Sequence, residues 1–211
     1  MAHIRDLDSF LEECRNHERG IEKQEYRYYW WIPLDRPILR ACKGHPGHSD
    51  CSEVYAKVAL VNRMYSANLG RYNKEGKFEA EDQVAQALFK SDIDKFIKPL
   101  LDLDALSEDV LPKVLKCHDR LIQIARPGAG NEALSFCSKY LSFHLPRVVP
   151  ILDRRAELTA SQVEGIPSFR GCGRFEKHCR RVLALMNFLV MKRIMPNLKI
   201  IDYVLYSDPA T

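Results

Sequence analysis

From residue 54 onward, apolar side chains return every three or four positions, the period that places them on one face of an α-helix. Val54, Val58, Val61, Tyr65 and Leu69 follow it, and Gly70 stands at a helix stop. Residues 82–97 carry Val84, Ala87, Leu88 and Phe89, then Ile93, Phe96 and Ile97, with Ser91-Asp92 placed to cap a second helix. Residues 109–124 open with an acidic first turn and Pro112, then run through Val114, Leu115, Leu121 and Ile122. The longest pattern spans 175–194, with Phe175, Val182, Leu185, Met186, Leu189 and Val190 along one side and Pro196 beyond its end. Strand signals are weak. Tyr26–Ile32 is aromatic and suits an extended chain, but Pro33 and Pro37 break it up, and Val148–Leu152 is short and holds Pro150. Loops rich in Gly and Pro are expected at 43–48, 127–130 and 165–173. The prediction is an all-α protein with an irregular aromatic segment near its N-terminus.

Composition narrows the class. With 211 residues, 46% of them apolar and 28% charged, the chain is sized for one domain with its own core. That balance excludes collagen-like, coiled-coil and wholly disordered chains. No apolar run reaches the roughly 20 residues that span a bilayer, and the acids near Met1 leave no apolar stretch of a secretion signal. A cytoplasmic protein with no membrane partner is expected. The seven cysteines then read as reduced thiols, with Cys137 and Cys179 inside apolar helical patterns. A formal net charge of +4 conceals an asymmetry: residues 165–199 hold eight Lys/Arg against Glu176 alone, while residues 75–119 are net −5. Such a basic stretch suits a phosphate backbone, or else a solvated helix face that complements the acidic middle.

Four segments offer chemistry. Cys42, His45, His48 and Cys51 recur every third residue, and all four are zinc-ligand types. Wrapping one tetrahedral ion in a single ten-residue loop is tight, so no metal is expected and a polar loop is the alternative. In Arg126-Pro127-Gly128-Ala129-Gly130 the glycines would let backbone approach a ligand, and a helix start after them would offer free N–H groups to phosphate. An ordinary helix connection is the other reading. In 134–144, Phe136, Tyr140 and Phe143 share a core-facing side, and Lys139 borders it, either reaching water or held by an acid. Asp153 follows an apolar run, as a helix N-cap or as a carboxylate facing a pocket. Asn62 and Tyr65 lie on one helix surface and either line that pocket or bond to neighbours; Arg71 is read as structural. His118 and His144 are read as satisfied interior histidines. Tyr26–Ile32 serves the core or a contact surface.

Three motifs carry a resemblance. The first is Ser135-Phe136-x-Ser138-Lys139-Tyr140-Leu141-x-Phe143-His144-x-Pro146, followed by Val149-Pro150-Ile151-x-Asp153-x-Arg155-Ala156. The second is Asn62-Arg63-x-Tyr65-Ser66-x-x-Leu69-x-Arg71, and the third Pro127-Gly128-x-Gly130. Over residues 54–205 they resemble the helix-hairpin-helix DNA glycosylase superfamily, and more closely a group of bacterial proteins described as having an 8-oxoguanine DNA glycosylase fold. The resemblance implies a compact two-lobed helical bundle: an N-terminal helix and aromatic segment over 1–52, a helical lobe over 53–124, and hairpin, catalytic-like stretch and basic helices over 125–211. It implies excision of a damaged or modified base flipped from double-stranded DNA, without a cofactor and with protein partners unspecified. Asp153 would stabilise the cationic sugar, and Lys139 would be nucleophile or proton shuttle. Pro127, Gly128, Gly130, Arg170, Arg174, Lys177, Arg180 and Arg181 would hold phosphates. Asn62, Tyr65, Phe136, Tyr140 and His144 are the pocket candidates. Two departures matter: Glu132 stands where the superfamily hairpin carries a nucleophilic lysine, and Leu152 is one extra residue before Asp153. Glu132 suits a non-catalytic nucleic-acid-binding module of the same fold, and a defence-associated interaction protein is a further reading. The enzymatic reading requires Lys139 and Asp153 to meet in one cleft with a cationic rim.

Overall fold

The computed structural model describes residues 6–25, 31–70 and 77–207. The aromatic residues 26–30 and Arg71 lie outside them. The described residues form ten α-helices: α1 Leu7–Glu22, α2 Ile32–Gly44, α3 Cys51–Met64, α4 Lys77–Phe89, α5 Asp94–Ile97, α6 Leu111–Ala129, α7 Leu134–His144, α8 Arg154–Gln162, α9 Arg174–Met191 and α10 Leu198–Ser207. A 3-10 turn, Lys98–Leu100, continues α5. No strand occurs among the described residues, so the all-α expectation holds. No helix among them is long and apolar enough to cross a membrane. All seven cysteines are free, and Cys137 and Cys179 are fully buried.

Local chemistry sets the helix ends. Asp6 accepts from the Ser9 N–H at 2.8 Å and the Ser9 hydroxyl accepts from the Asp6 N–H, a reciprocal cap on α1. Asp50 accepts from the Glu53 N–H and starts α3. The break expected at Ser91-Asp92 is present, and there the Ser91 hydroxyl accepts from the Ile93 N–H. The helix expected to run to Leu69 stops at Met64 instead. Asn62 is the cause: its carbonyl oxygens accept from the Ala67 and Leu69 N–H groups, and the chain turns through Ser66 and Asn68 at positive φ.

The loop expected at 127–130 is a correction. Helix α6 runs through Pro127 and Gly128 to Ala129, and only Gly130 leaves it, at φ +73° as a left-handed C-terminal cap. A Cβ on Gly128 would stand 2.8 Å from Gln83 Cβ and 2.9 Å from the Val84 nitrogen. The glycine therefore lets α6 and α4 approach, rather than presenting backbone to a ligand. Helix α7 lies between α2, α3 and α6, while α10 packs on α8 and α1. One continuous core joins them, with Phe10, Ile38, Val58, Leu88, Leu121, Phe136, Tyr140 and Leu185 fully buried. The Val148–Leu152 stretch is not a strand. Side chains satisfy its backbone: Ile151 N–H donates to the Asp202 carboxylate at 3.2 Å, and Leu152 N–H to the Ser138 hydroxyl at 3.0 Å.

Candidate functional site

Those two bonds position the residue that follows. Asp153 has extended backbone at the start of α8, and its Oδ1 accepts from the Arg155 N–H at 3.0 Å. Its Oδ2 lies 3.2 Å from Lys139 Nζ, and that amine also donates to the Tyr65 carbonyl at 3.0 Å. Asp153 is thus both N-cap and ion-pair partner. Lys139 is 4% exposed, an ammonium that the interior tolerates only with such partners. The termination of α3 at Met64 is what brings the Tyr65 carbonyl to it.

Lys139 and Asp153 open into a cavity of about 270 Å³ with Trp31, Tyr65, Asp202 and Tyr203 among its walls. The Trp31 and Tyr203 rings stack with centroids 3.8 Å apart. Tyr203 donates its hydroxyl proton to Asp35 at 2.9 Å, so the 2.7 Å contact between Tyr65 and Tyr203 is donated by Tyr65. Lys199 stands 3.8 Å from the other Asp35 oxygen and donates to the Ser142 hydroxyl. Burial raises the Asp35 carboxyl above its ordinary value against the pull of Lys199. Burial likewise raises Asp202 to about 7, against the pull of Lys199 and the Ile151 N–H. The cavity thus joins one ion pair, an aromatic wall and a carboxyl close to neutrality.

Of the pocket candidates, Tyr65 lines this cavity and the other four do not. Asn62 is buried and donates to Glu81 at 2.8 Å, beside the Arg63–Glu81 ion pair at 2.6 Å. Phe136 and Tyr140 are core residues with no exposure. His144 is interior but not satisfied: neither ring nitrogen has a partner, and burial holds its pKa well below the ordinary value. His118 likewise leaves Nδ1 unpartnered.

The Cys42–Cys51 ligand set is not assembled. Cys42 is buried on α2, Cys51 is exposed, and His45 sits beside Glu53 at 3.4 Å. His48 turns inward, with Nδ1 2.7 Å from Asp94 and Nε2 2.9 Å from the Tyr140 hydroxyl. The carboxylate accepts from the Nδ1–H, so Nε2 of the neutral ring accepts from the Tyr140 hydroxyl. No group of three His, Cys, Asp or Glu among the described residues could hold a metal.

The cationic rim is also corrected. Lys139 is the cation among the cavity's lining residues, and none of Arg170, Arg174, Lys177, Arg180 and Arg181 lines it. Arg174 pairs with Glu157 at 2.7 Å and Arg180 with Glu176 at 2.8 Å, whereas Arg170 is exposed. Helix α9 directs its start toward a different cavity, lined by Gly173 and Arg174. Glu157 and Glu176 neutralise two of the five, and Arg180 also reaches Glu108 of the acidic middle at 3.6 Å. Sequence reasoning missed Asp35, Asp202 and Tyr203. A lone acid in the apolar run Leu198–Leu205 is the signal that pointed to Asp202.

Residues 24–148, more than half of the chain, match the family model HI_0787_N, described as an N-terminal domain. The chain belongs to that family. No curated protein and no solved structure matches it.

Proposed function

We propose that this member of the HI_0787_N family is a DNA glycosylase-like enzyme, of helix-hairpin-helix type, that excises a damaged or modified base. One observation carries the reading: an amine and a carboxylate 3.2 Å apart open together into an aromatic-walled cavity. A flipped base stacks on such a wall, and the Trp31–Tyr203 pair supplies the ring surface. When the base–sugar bond breaks, its electron pair leaves with the base and positive charge develops on the sugar. The Asp153 carboxylate stabilises that charge in a largely desolvated site. Lys139 passes a proton to the departing base, and its freed amine then bonds to the sugar carbon. Water in place of the amine gives base release without strand cleavage.

A panel of duplexes carrying oxidised, alkylated or deaminated bases tests this. The expected result is base release from one class, reduced by about 100-fold or more in Asp153→Asn. A borohydride-trapped adduct that disappears in Lys139→Gln identifies the amine as nucleophile. Release that persists undiminished in Asp153→Ala, or none from any duplex, defeats the reading.

A second reading, binding of a flipped base without excision, is favoured by the double tether on Lys139 and by Glu132 at the hairpin. It predicts duplex affinity that falls with salt but no base release.

A further inference from the structure

Asp35 lies one turn after Trp31, which opens α2, and its N–H donates to the Trp31 carbonyl at 2.9 Å. Residues spaced in this way share a helix face, and both meet Tyr203 of α10. Trp31 stacks on its ring, and Asp35 Oδ1 accepts from its hydroxyl at 2.9 Å. One turn before Tyr203, Lys199 stands 3.8 Å from Asp35 Oδ2. Asp35 is 1% exposed, and Oδ2 has no hydrogen-bond partner. A buried acid with an oxygen left over is a costly way to join two helices, since an apolar contact does so without that penalty. What an apolar residue cannot do is accept a hydrogen bond.

That bond sets a direction. Tyr203 has a single hydroxyl proton, Asp35 takes its hydrogen bond, and the Tyr203 oxygen is left to accept from Tyr65 at 2.7 Å. Tyr65 is the first residue past α3, where no helical N–H is available to its carbonyl. That carbonyl accepts from Lys139 Nζ at 3.0 Å. Tyr65 is thus pinned at its hydroxyl by Tyr203 and at its carbonyl by Lys139, and the chain leaves it through Ser66 at φ +46°. The network runs from Asp35 through Tyr203 and Tyr65 to Lys139, and on to Asp153 at 3.2 Å. Asp35 itself does not line the cavity.

The geometry points to Asp35 as a positioning residue: from behind the aromatic wall it fixes Tyr203 and Tyr65, and through them the place of the Lys139 amine. Its acceptor oxygen does this, rather than its charge opposite Lys199. In base excision Asp35 keeps the amine aligned on the base–sugar bond; that consequence rests on the base-excision reading, whereas the hold on the amine does not.

Proton–nitrogen NMR of the isotope-labelled full chain reads the Lys139 ammonium directly, its signal identified by loss in Lys139→Gln. The native ammonium should exchange its protons with water more slowly than exposed lysines do, because two acceptors and burial shield it. Tyr203→Phe keeps the ring and cuts the network, and should speed that exchange by about fivefold to tenfold. Asp35→Leu should match it, and the double variant should be no faster than either single one, since both cut one network. Asp35→Asn keeps an acceptor for Tyr203 and should stay within about twofold of the native rate. Gly128→Ala, which strains the α4–α6 contact instead, should leave the rate unchanged. On a duplex from which the native chain releases base, Tyr203→Phe and Asp35→Leu should lower kcat by about tenfold, with KM within about twofold. Native exchange in both variants, additive effects of the two, or the same change in Gly128→Ala overturns the proposal. So does Asp35→Asn as disruptive as Asp35→Leu, a native ammonium as fast as exposed lysines, or an unchanged kcat. Tyr203→Phe alone decides the matter where Asp35→Leu fails to fold. If no duplex releases base, the excision reading fails, and the exchange rates still decide the role of Asp35.

Discussion

The carboxylate of Asp153 divides its oxygens between a helix terminus and an amine, with Oδ1 on the Arg155 N–H and Oδ2 on Lys139. Asparagine keeps the capping oxygen and removes the charge, whereas alanine removes both. Asp153→Ala should therefore be less stable than Asp153→Asn by about 1 kcal/mol, the ordinary worth of an N-cap. Either change strands an ammonium that is 4% exposed, so adding Lys139→Met should restore much of the stability that Asp153→Asn loses. Urea unfolding of the four proteins measures this; a double variant no more stable than Asp153→Asn contradicts the ion-pair account. Both candidate roles of Asp153 were visible in the chain, since a cap and a pocket acid share one residue type after an apolar run. That both hold at once needed the Ser138 and Asp202 tethers, which come from far along the chain.

Helix positions were legible because amphipathic periodicity depends on neighbours within two turns. Residues 54–69, 82–97, 109–124 and 175–194 all hold helices, displaced mainly at their ends. The ends moved where a side chain bonded to the backbone beyond its own helix, as Asn62 does at the end of α3. Pro127-Gly128 was misread for a related reason. A glycine serves a turn or a close approach equally well, and only the surface opposite reveals which. Gly128→Ala makes the distinction measurable. In an exposed helix that change stabilises by roughly 0.5–1 kcal/mol. Here the new Cβ meets the Val84 backbone nitrogen at 2.9 Å, so the sign reverses and about 1–3 kcal/mol should be lost. Gly130→Ala, at φ +73°, should cost about 1 kcal/mol through backbone strain alone. Thermal unfolding of both variants, with stabilisation of Gly128→Ala as the contrary result, checks the α4–α6 contact.

Several buried titratable groups act together on the pH dependence of folding. His118 and His178 fall to about 4 through desolvation, and burial lowers His48 and His144 as well. Between pH 6.5 and 4 the unfolded chain binds more protons at these sites than the folded one, so their contribution to stability is lost as pH falls. Asp202, raised to about 7, works in the opposite sense: the folded chain holds its proton longer, and stability is lost as pH rises from about 4 to 7. Asp35 and Asp119 are raised in the same sense as Asp202; with four lowered histidines set against three raised acids, net stability should fall on acidification below pH 6.5. Asp202→Asn keeps an acceptor for the Ile151 N–H and removes the titration. Relative to the native chain it should gain stability between pH 5 and pH 8, by about 1 kcal/mol or more. A difference that stays constant with pH would show that Asp202 does not titrate in this range.

Helicity, the reduced thiols and the chemical character of Lys139 and Asp153 were in the chain from the outset, since each rests on local period or residue type. The aromatic wall and the two buried acids were not. Trp31 meets Tyr203, and Tyr203 meets Asp35 across 168 positions, only when α2 and α10 pack together. The distribution of positive charge was equally a matter of packing. Arg174 and Arg180 count as basic in any linear reading, but folding sets them against Glu157 and Glu108 from other parts of the chain, and a charge acts on its surroundings only after its nearest partners are known.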